Sequence, residues 1–267
     1  MITSSNNAKV KQVVQWQTKA KERRKDHVFL AEGVRMCEEA PVKSVREVYL
    51  TEELEQKLRQ NAQNGDTAFW DKLQQTGYET VSPEVFAKMA DTQTPQGILT
   101  VLEQPSYDLT QLLEQPKPLF LILENLQDPG NLGTMMRTGE GAGITGVIMN
   151  SQTVDIFNPK TIRATMGSIF RVPFVYVPEL SPVLTQMHEK GIHTYAAHLK
   201  GKEYYDSFSF REPTAFLIGN EGNGLTKEIS DQSGQYLKIP MEGKVESLNA
   251  SIAAALLMYE AHRQRKL

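Results

Sequence analysis

Short apolar runs alternate with longer stretches of mixed polarity along almost the whole chain. A run such as FLIL at 120–123 ends in turn-forming polar residues, which is typical of a buried strand. The stretches between the runs are long enough for helices. This alternation predicts an α/β fold and, in the second half, a mostly parallel sheet covered on both faces. Ligands of such sheets bind at the carboxyl ends of the strands.

The first part of the chain is predicted to open with a basic helix over 8–25. Strands follow at HVFLAEG, VREVYLT, YETVS and QGILTVLE, separated by a short helix through Cys37, a Glu/Gln-rich helix and a helix at PEVFAKMA. The second part is predicted to have strands at FLILENL, GVIMN, PFVYV, HTYAAHL, TAFLIGN and QYLKIP. Its helices are expected over 133–140, from Asn158, at LSPVLTQMHEKG, from Leu225 and over 248–264.

A polar stretch bounded by prolines separates the two parts. Pro105, Pro116 and Pro118 bracket LEQPSYDLTQLLEQPKP, and proline restricts both itself and the residue before it. We therefore predict a small α/β domain over 1–105, a partly helical linker over 106–117 and a larger α/β domain over 118–267.

Composition narrows the class of protein. The 267 residues are 40% hydrophobic and 23% charged, with a net charge of −3, which is ordinary for a globular protein. No apolar run reaches the ~20 residues that span a bilayer, and the polar start lacks a signal-peptide core, so we expect a cytoplasmic protein without a membrane partner. Cys37 is a lone cysteine and the five histidines lack ligand spacing, so no disulfide and no metal site are expected.

The net charge hides an uneven distribution. Residues 1–27 hold seven basic and two acidic residues, a balance of +5, whereas 28–105 carry −6 and 106–267 carry −2. Clustered Lys and Arg side chains indicate contact with nucleic-acid phosphates, although the same pattern fits an ordinary solvated helix face. The candidate RNA contacts of this basic arm are Lys9, Lys11, Lys21, Arg23, Arg24 and Lys25.

Three loops at predicted strand ends carry the candidate chemistry. The first, ENLQDPGNLGTMMR at 124–137, has a tight turn at Asp128-Pro129-Gly130, and Asn131 is predicted to cap the helix that carries Arg137. The second, GNEGNGL at 219–225, has three glycines in six positions, which favours close approach of backbone to a ligand. Glu221 within it argues against a phosphate cradle, because a carboxylate would repel phosphate.

The third loop runs from the QYLKIP strand into the last helix. Ser247 or Asn249 is expected to cap that helix, and the small residues between 250 and 255 allow another backbone to pack closely against it. Leu248, Ile252, Leu256 and Tyr259 lie at helical spacing and are predicted to face the core. A separate G-x-G-x-x-G match at 141–146 follows a helix and precedes a strand, the reverse of a dinucleotide-binding motif, so a nucleotide-binding oxidoreductase is not favoured.

The motifs DPGNLGTMMRT, FLIGNEGNGL and IPMEGKVESLNASIAAALLMYE together resemble, in order and spacing, the three motifs of SpoU-type RNA ribose 2′-O-methyltransferases of the SPOUT class. The opening VKQVVQWQTKAKERRKDHVFLAEGVR and the segment DTQTPQGILTV resemble that family's RNA substrate-binding domain, which is similar to ribosomal proteins. The resemblance implies a homodimer and a carboxy-terminal α/β domain with a deep trefoil knot, which is an exception among folds. It also implies that the knotted loops hold S-adenosylmethionine (AdoMet).

The resemblance also assigns roles to individual residues. The family's cofactor contacts fall on Gly219, Ile239 and Leu248, with Met241 and Asn220 nearby and Leu217 as an apolar wall. The catalytic Arg falls on Arg137 and its accompanying Asn on Asn131, and the other polar motif positions are Glu221, Ser247 and Asn249. Gly130 stands where many relatives have a basic residue. Arg163 either compensates as an RNA contact or lies on a plain surface helix.

The implied reaction is methyl transfer to a ribose 2′-hydroxyl, with ribosomal RNA, most of all 23S, favoured over transfer RNA. Two alternatives remain at this level: a transfer-RNA methyltransferase, and a non-catalytic RNA-binding or ribosome-assembly factor that keeps the fold. Intact Asn131, Arg137, Glu221 and Asn249 argue against the second.

Overall fold

A computed structural model describes residues 1–266. The contacts between Cα atoms divide it into two compact units, one made of Met1–Pro105 with Phe157–Phe170, the other of Ser106–Ile156 with the chain from Arg171 onward. The helices are α1 Ala8–Thr18, α2 Ala20–Asp26, α3 Val34–Glu39, α4 Glu52–Gln63, α5 Ala68–Thr76, α6 Pro83–Met89, α7 Leu109–Leu113, α8 Pro129–Ala142, α9 Pro159–Thr165, α10 Ser181–Glu189, α11 Lys227–Gln232 and α12 Ala250–Lys266. The strands are β1 Val28–Glu32, β2 Val45–Thr51, β3 Glu79–Val81, β4 Ile98–Glu103, β5 Leu119–Leu123, β6 Gly146–Asn150, β7 Phe174–Val177, β8 His193–Ala197, β9 Glu203–Tyr204, β10 Thr214–Ile218 and β11 Gln235–Lys238.

The amino-terminal unit is a four-stranded sheet with helices on both faces. The strand order is β1-β4-β2-β3, in which β4 runs antiparallel to β1 and β2, and β3 runs parallel to β2. Side chains along a strand alternate between faces, so Tyr49 enters the core formed with α1 and α6, while its neighbours Val48 and Leu50 enter the core formed with α4 and α5. Cys37 lies in this second core, where burial raises the pKa of its thiol to about 12.

The basic opening segment is broken where a single helix was predicted. Lys19 takes an extended conformation with φ −123°, which separates α1 from α2. Arg23 is only 3% exposed, and its Nη1 donates to the carbonyls of Trp16 (2.7 Å) and Gln17 (3.3 Å). The last carbonyls of a helix need donors from outside it, and Arg23 supplies them for α1. The prediction that Arg23 contacts RNA is therefore wrong.

The carboxy-terminal unit contains a seven-stranded sheet in the order β7-β6-β5-β10-β8-β11-β9, and every neighbouring pair is parallel. The central strands β5, β6 and β10 are buried along their whole length, as expected when helices cover both faces. The predicted α/β class with a parallel sheet is confirmed. The predicted linker is not a free connection, because Leu112 and Leu113 of α7 belong to the core of this unit.

Two further features of the fold depart from the sequence prediction. The segment Phe157–Phe170, assigned from the sequence to the larger domain, packs in the amino-terminal unit, where the Phe29 ring lies 5.1 Å from that of Phe157. In α12 the small residues Ser251 and Ala254 are buried, together with Met258 and Ala261, and the helix packs against α8. Three of the four residues predicted to be core are instead exposed: Ile252 by 50%, Leu256 by 36% and Tyr259 by 49%. The fourth, Leu248, is half-buried.

Candidate functional site

The glycine-rich loop after β10 is closed by its own backbone. Asn220 and Gly224 exchange two hydrogen bonds, of 3.0 Å and 2.9 Å between backbone nitrogen and oxygen. The side-chain Oδ1 of Asn220 accepts from the backbone nitrogens of Gly222 (2.9 Å) and Asn223 (3.0 Å). The loop is thus a preformed turn, and Asn220 organises it.

At the start of this loop, Gly219 lies against the backbone of Gly224 and Leu225 at the loop's other end. A Cβ atom at this position would lie 2.1 Å from the carbonyl carbon of Gly224 and 2.1 Å from the nitrogen of Leu225. Neither atom belongs to a side chain that could rotate away. Only glycine fits, which explains the close approach that the sequence pattern predicted.

A cavity of about 280 Å³ opens between the loops that follow β8, β10 and β11. This volume is just below the ~300–1,000 Å³ typical of small-molecule sites. Of the predicted site residues, it is lined by Gly219, Asn220, Glu221, Ile239, Met241, Ser247 and Leu248. Leu217 does not line it: the side chain is fully buried in the core beside the sheet, so the prediction of Leu217 as a cofactor wall is wrong.

His198 and Leu199 line the cavity as well, and neither was predicted from the sequence. They follow β8 directly, so the rule that ligands bind at carboxyl ends of parallel strands was the available signal. The His198 ring stacks on Tyr236 at 4.8 Å, and its Nδ1 accepts from the backbone nitrogen of Lys200 at 3.0 Å. Burial, with a smaller effect of the Lys200 charge, lowers the pKa of His198, so the imidazole is neutral at physiological pH.

Three polar residues, one from each motif, form one hydrogen-bonded network. Asn249 Nδ2 donates to Asn131 Oδ1 at 3.0 Å, and Asn131 Nδ2 donates to Glu221 Oε1 at 3.0 Å. Asn249 Oδ1 accepts from the backbone nitrogen and hydroxyl of Ser251, which confirms it as the cap of α12. The network therefore joins the start of α8, the glycine loop and the start of α12.

The cap of α8 differs from the prediction. Asp128, not Asn131, caps this helix, because its Oδ1 accepts from the backbone nitrogen of Asn131 at 2.7 Å. The prediction that Asn131 is the cap is wrong, and the reason is that Pro129 takes the first helical position and moves the start of the helix earlier. The Asn131 amide is thereby available for the network.

Glu221 acts as an acceptor for the turn before α8. Besides Asn131, it accepts from the backbone nitrogens of Gln127 (3.1 Å) and Asp128 (2.9 Å). Partial burial opposes ionisation, but the hydrogen bonds from Asn131, Asp128 and Gln127 outweigh it and lower the pKa of the Glu221 carboxyl below its usual range. A carboxylate held in this way is a weak base, which favours a positioning role for Glu221 over removal of protons.

Arg137 lies on α8 with its side chain exposed. Within residues 1–266 it makes no hydrogen bond and no ion pair, in contrast to Arg171, which pairs with Glu140 of the same helix. Its guanidinium keeps five donors and a permanent charge for a ligand. Ser247 is also exposed and contributes to the cavity wall.

The candidate RNA contacts lie in the amino-terminal unit. Lys11, Lys21, Arg24 and Lys25 are exposed. Lys9 is also exposed but forms an ion pair with Glu79, and Arg163 forms an ion pair with Asp91. Arg163 is not among the residues that line the cavity.

The cavity fits AdoMet on three grounds. The Gly219–Gly224 turn brings backbone donors and acceptors to the wall, which suits an adenine edge, and Ile239, Met241 and Leu248 supply apolar surface. Glu221 and Glu246 also line the cavity, and negative charge suits a ligand with a positive sulfonium.

Within residues 1–266 no helix is long and apolar enough to cross a membrane, and no group of three His, Cys, Asp or Glu is placed to hold a metal.

Comparison with known protein families gives two matches that divide the chain. Residues 118–259 match the model described as the SpoU rRNA Methylase family, and residues 7–100 match an MRM3-like substrate binding domain. Among curated proteins, the chain is 33% identical over 261 residues to the 23S rRNA (guanosine(2553)-2′-O)-methyltransferase RlmP of Bacillus subtilis, with 97% of each chain covered.

Solved structures agree along the full length. The AdoMet-bound rRNA methyltransferase of Sinorhizobium meliloti superposes with a TM-score of 0.85 at 28% identity, covering 98% of this chain and 97% of that one. The SpoU methyltransferase AviRb of Streptomyces viridochromogenes, in complex with AdoMet, gives 0.83 at 26% identity, with 98% and 99% covered.

Proposed function

This chain belongs to the SpoU rRNA methylase family of AdoMet-dependent methyltransferases, and on that premise we propose that it methylates a ribose 2′-hydroxyl of 23S ribosomal RNA. The substrate proposal is supported by similarity to RlmP over both domains rather than over the methyltransferase part alone. The observation that carries the assignment of methyl transfer is the polar network from Asn249 through Asn131 to Glu221. This network sets the helix of Arg137 beside the cavity. Action on ribosomal RNA would place the protein in the cytoplasm.

The chain's own residues orient the reactants. Bound AdoMet would supply a methyl group on a positive sulfur. The ribose 2′-oxygen would attack the methyl carbon in line with the carbon–sulfur bond, which breaks and leaves a neutral thioether, and the hydroxyl proton would be released. The Gly219–Gly224 backbone and the apolar walls hold the cofactor, so that the reaction depends mainly on orientation. Arg137 binds the phosphate next to the target ribose and stabilises negative charge that develops on the 2′-oxygen. A guanidinium cation has donors but no acceptor, so we assign Arg137 to charge stabilisation rather than to removal of the hydroxyl proton.

Three structural properties of the family extend to this chain as proposals. The exposed apolar face of α12, with Ile252, Leu256 and Tyr259, is the contact surface of a homodimer. A contiguous apolar surface exposed to water is unfavourable and usually marks a site that a partner covers. The loops after β10 and β11 form a deep trefoil knot, and residues 1–105, with Phe157–Phe170 packed in the same unit, act as the substrate-binding domain of the methyltransferase.

Mapping 2′-O-methyl groups in total RNA, from cells with and without the gene, tests the substrate. We expect one position in 23S ribosomal RNA to lose its methyl group and to regain it when the wild-type gene is restored. Restoration with an Arg137→Ala gene should leave the position unmethylated. Loss of a transfer-RNA methyl group instead would overturn the 23S assignment, and failure of the purified protein to bind AdoMet in calorimetry would favour a non-catalytic RNA-binding factor.

The basic arm gives a separate prediction about RNA affinity. Replacing Lys21, Arg24 and Lys25 together with alanine should weaken binding of an RNA fragment and reduce the slope of log Kd against log salt by about 2–3, since each lost phosphate contact removes about 0.7–0.9. AdoMet affinity should stay unchanged. Arg23 is left intact, because removing a buried side chain that holds the end of α1 would destabilise the unit instead.

The matched control for the arm removes other exposed cations of the same unit. Arg35 and Arg59 pair with Glu39 and Glu55 on their own helices, so an Arg35→Ala, Arg59→Ala variant should leave the salt slope as in wild type. Equal slopes for the arm variant and wild type would show that the arm is a plain solvated helix face.

A further inference from the structure

The cofactor loop is held at both ends by the turn that follows β5. At the loop's start, Asn220 Nδ2 donates to the backbone oxygen of Asn125 at 2.9 Å. Just beyond its end, the backbone nitrogen and hydroxyl of Thr226 donate to the two carboxylate oxygens of Glu124, each at 2.7 Å. Glu124 and Asn125 are adjacent in the chain, so one short turn fixes both ends of the loop.

The carboxylate of Glu124 is buried, which is unfavourable for a charged group. It is 5% exposed, and no cation within residues 1–266 forms an ion pair with it. Burial of a carboxylate is unfavourable unless hydrogen bonds replace its water, and here Thr226 provides them. Thr226 also caps α11, since its hydroxyl accepts from the backbone nitrogen of Ile229 at 3.3 Å. The carboxylate thus fixes the point at which the glycine loop becomes a helix.

The position of Thr226 affects the cofactor loop because Thr226 directly follows the narrowest part of that loop. Gly224 and Leu225 come immediately before Thr226, and their backbone atoms are those that a Cβ on Gly219 would touch at 2.1 Å. Gly219, Gly224 and Leu225 all line the cavity. A shift of Thr226 would therefore change the width of the loop at its narrowest point.

The other half of the turn is supported from β6. Asn125 has φ +56°, in the left-handed region, and its backbone nitrogen donates to Asn150 Oδ1 at 3.0 Å. Asn150 Nδ2 returns a bond of 2.8 Å to Asn125 Oδ1, and Asn150 is 8% exposed. A reciprocal amide pair of this kind holds a conformation that the backbone alone would not favour.

We propose that Glu124 is a positioning residue for AdoMet: through Thr226 it sets the separation between Gly219 and the Gly224–Leu225 backbone, and thereby the fit of the cofactor. This inference rests on the proposed function, in which the cavity binds AdoMet. It assigns Glu124 no contact with the cofactor and no part in proton transfer.

The test compares Glu124→Ala with Glu124→Gln. In calorimetry the alanine variant should bind AdoMet at least about tenfold more weakly, because it loses two hydrogen bonds to a charged acceptor. The glutamine variant can still accept from the Thr226 nitrogen and should recover most of the affinity. Affinity for an RNA fragment should not change in either.

A buried carboxylate of the other unit provides the matched control. Glu32 is 9% exposed and accepts from the backbone nitrogen of Asp91 at 2.8 Å and from the hydroxyl of Thr92, the same donor types as at Glu124. Glu32→Ala should lower the unfolding temperature without changing AdoMet affinity. If it weakened AdoMet binding as much as Glu124→Ala did, the effect would be one of general stability and the proposal would be overturned.

A second measurement does not depend on the cofactor. In the free protein, the amides of 224–230 should exchange hydrogen faster in Glu124→Ala than in wild type, while those of 91–96 should not. If Glu124→Ala does not fold, Thr226→Val keeps the backbone bond to Glu124 and removes the hydroxyl that donates to Glu124 and caps α11, and it should shift affinity and exchange in the same direction. Folded variants with wild-type affinity and exchange would refute the positioning role, whereas absence of AdoMet binding by wild type would refute the proposed function itself.

Discussion

Replacing Arg137 with alanine should lower the rate of methyl transfer by at least about 10²–10³-fold, the loss typical when a group that stabilises developing charge is removed. AdoMet affinity should be unchanged, since Arg137 does not line the cavity. The side chain is exposed on α8 and is not engaged within the described chain, so its loss should not unfold the protein. Single-turnover methylation of an RNA fragment, with calorimetry for AdoMet, separates the two effects.

Lysine at the same position tests the shape of the group rather than its charge. Arg137→Lys keeps the positive charge but cannot donate two parallel hydrogen bonds to a phosphate, so its rate should fall between those of alanine and wild type. A lysine variant with the full wild-type rate at neutral pH would show that the planar guanidinium has no special role. A rate that rose with pH in the lysine variant alone would instead indicate that the group at this position accepts the proton.

Gly219→Ala should weaken AdoMet binding and lower the rate of methyl transfer by roughly 10²-fold, the scale of rate loss that a displacement of ~1 Å causes in a preorganised site. The added Cβ would lie 2.1 Å from two backbone atoms, so the loop has to move. Because β10 is buried and paired on both sides, the displacement should fall on the loop rather than on the sheet. The unfolding transition should remain cooperative, and calorimetry measures the affinity.

The same loop contains its own control. A Cβ at Gly222 would have a single ordinary contact, at 3.5 Å from Asn220 Oδ1, and its nitrogen could still donate to that atom. Gly222→Ala should therefore lose far less affinity than Gly219→Ala. Equal losses would mean that flexibility of the loop, not close backbone approach, is what the glycines provide.

Much of the carboxy-terminal unit followed from local sequence. Apolar runs such as 119–123 and 214–218 became parallel strands, and the glycine loop came at a strand end, where a ligand site was expected. Strand length, turn residues and glycine content are local properties, so the sequence displays them directly. The cap at Asn249 was also predictable, because capping depends on residues within one turn.

Features decided by long-range packing were not predictable in the same way. The α12 sequence has both an apolar and a small-residue stripe, and periodicity alone could not tell that the small stripe packs against α8. Leu217 is the same kind of residue as Ile239, but one points into the core and the other into the cavity. Arg23 belongs to a basic run, and only the break at Lys19 turns its side chain inward.

The polar network also has a consequence for when the protein becomes competent during its synthesis. Glu221 follows Asn131 by 90 positions and Asn249 follows it by 118, so the network joins segments that leave the ribosome at widely separated times. Contacts between such distant segments slow folding, because a long loop must be closed before they form. A nascent chain that has already folded its basic arm still lacks the Asn249 contact until the start of α12 has been made. The polar network is therefore complete only after Asn249 has left the ribosome.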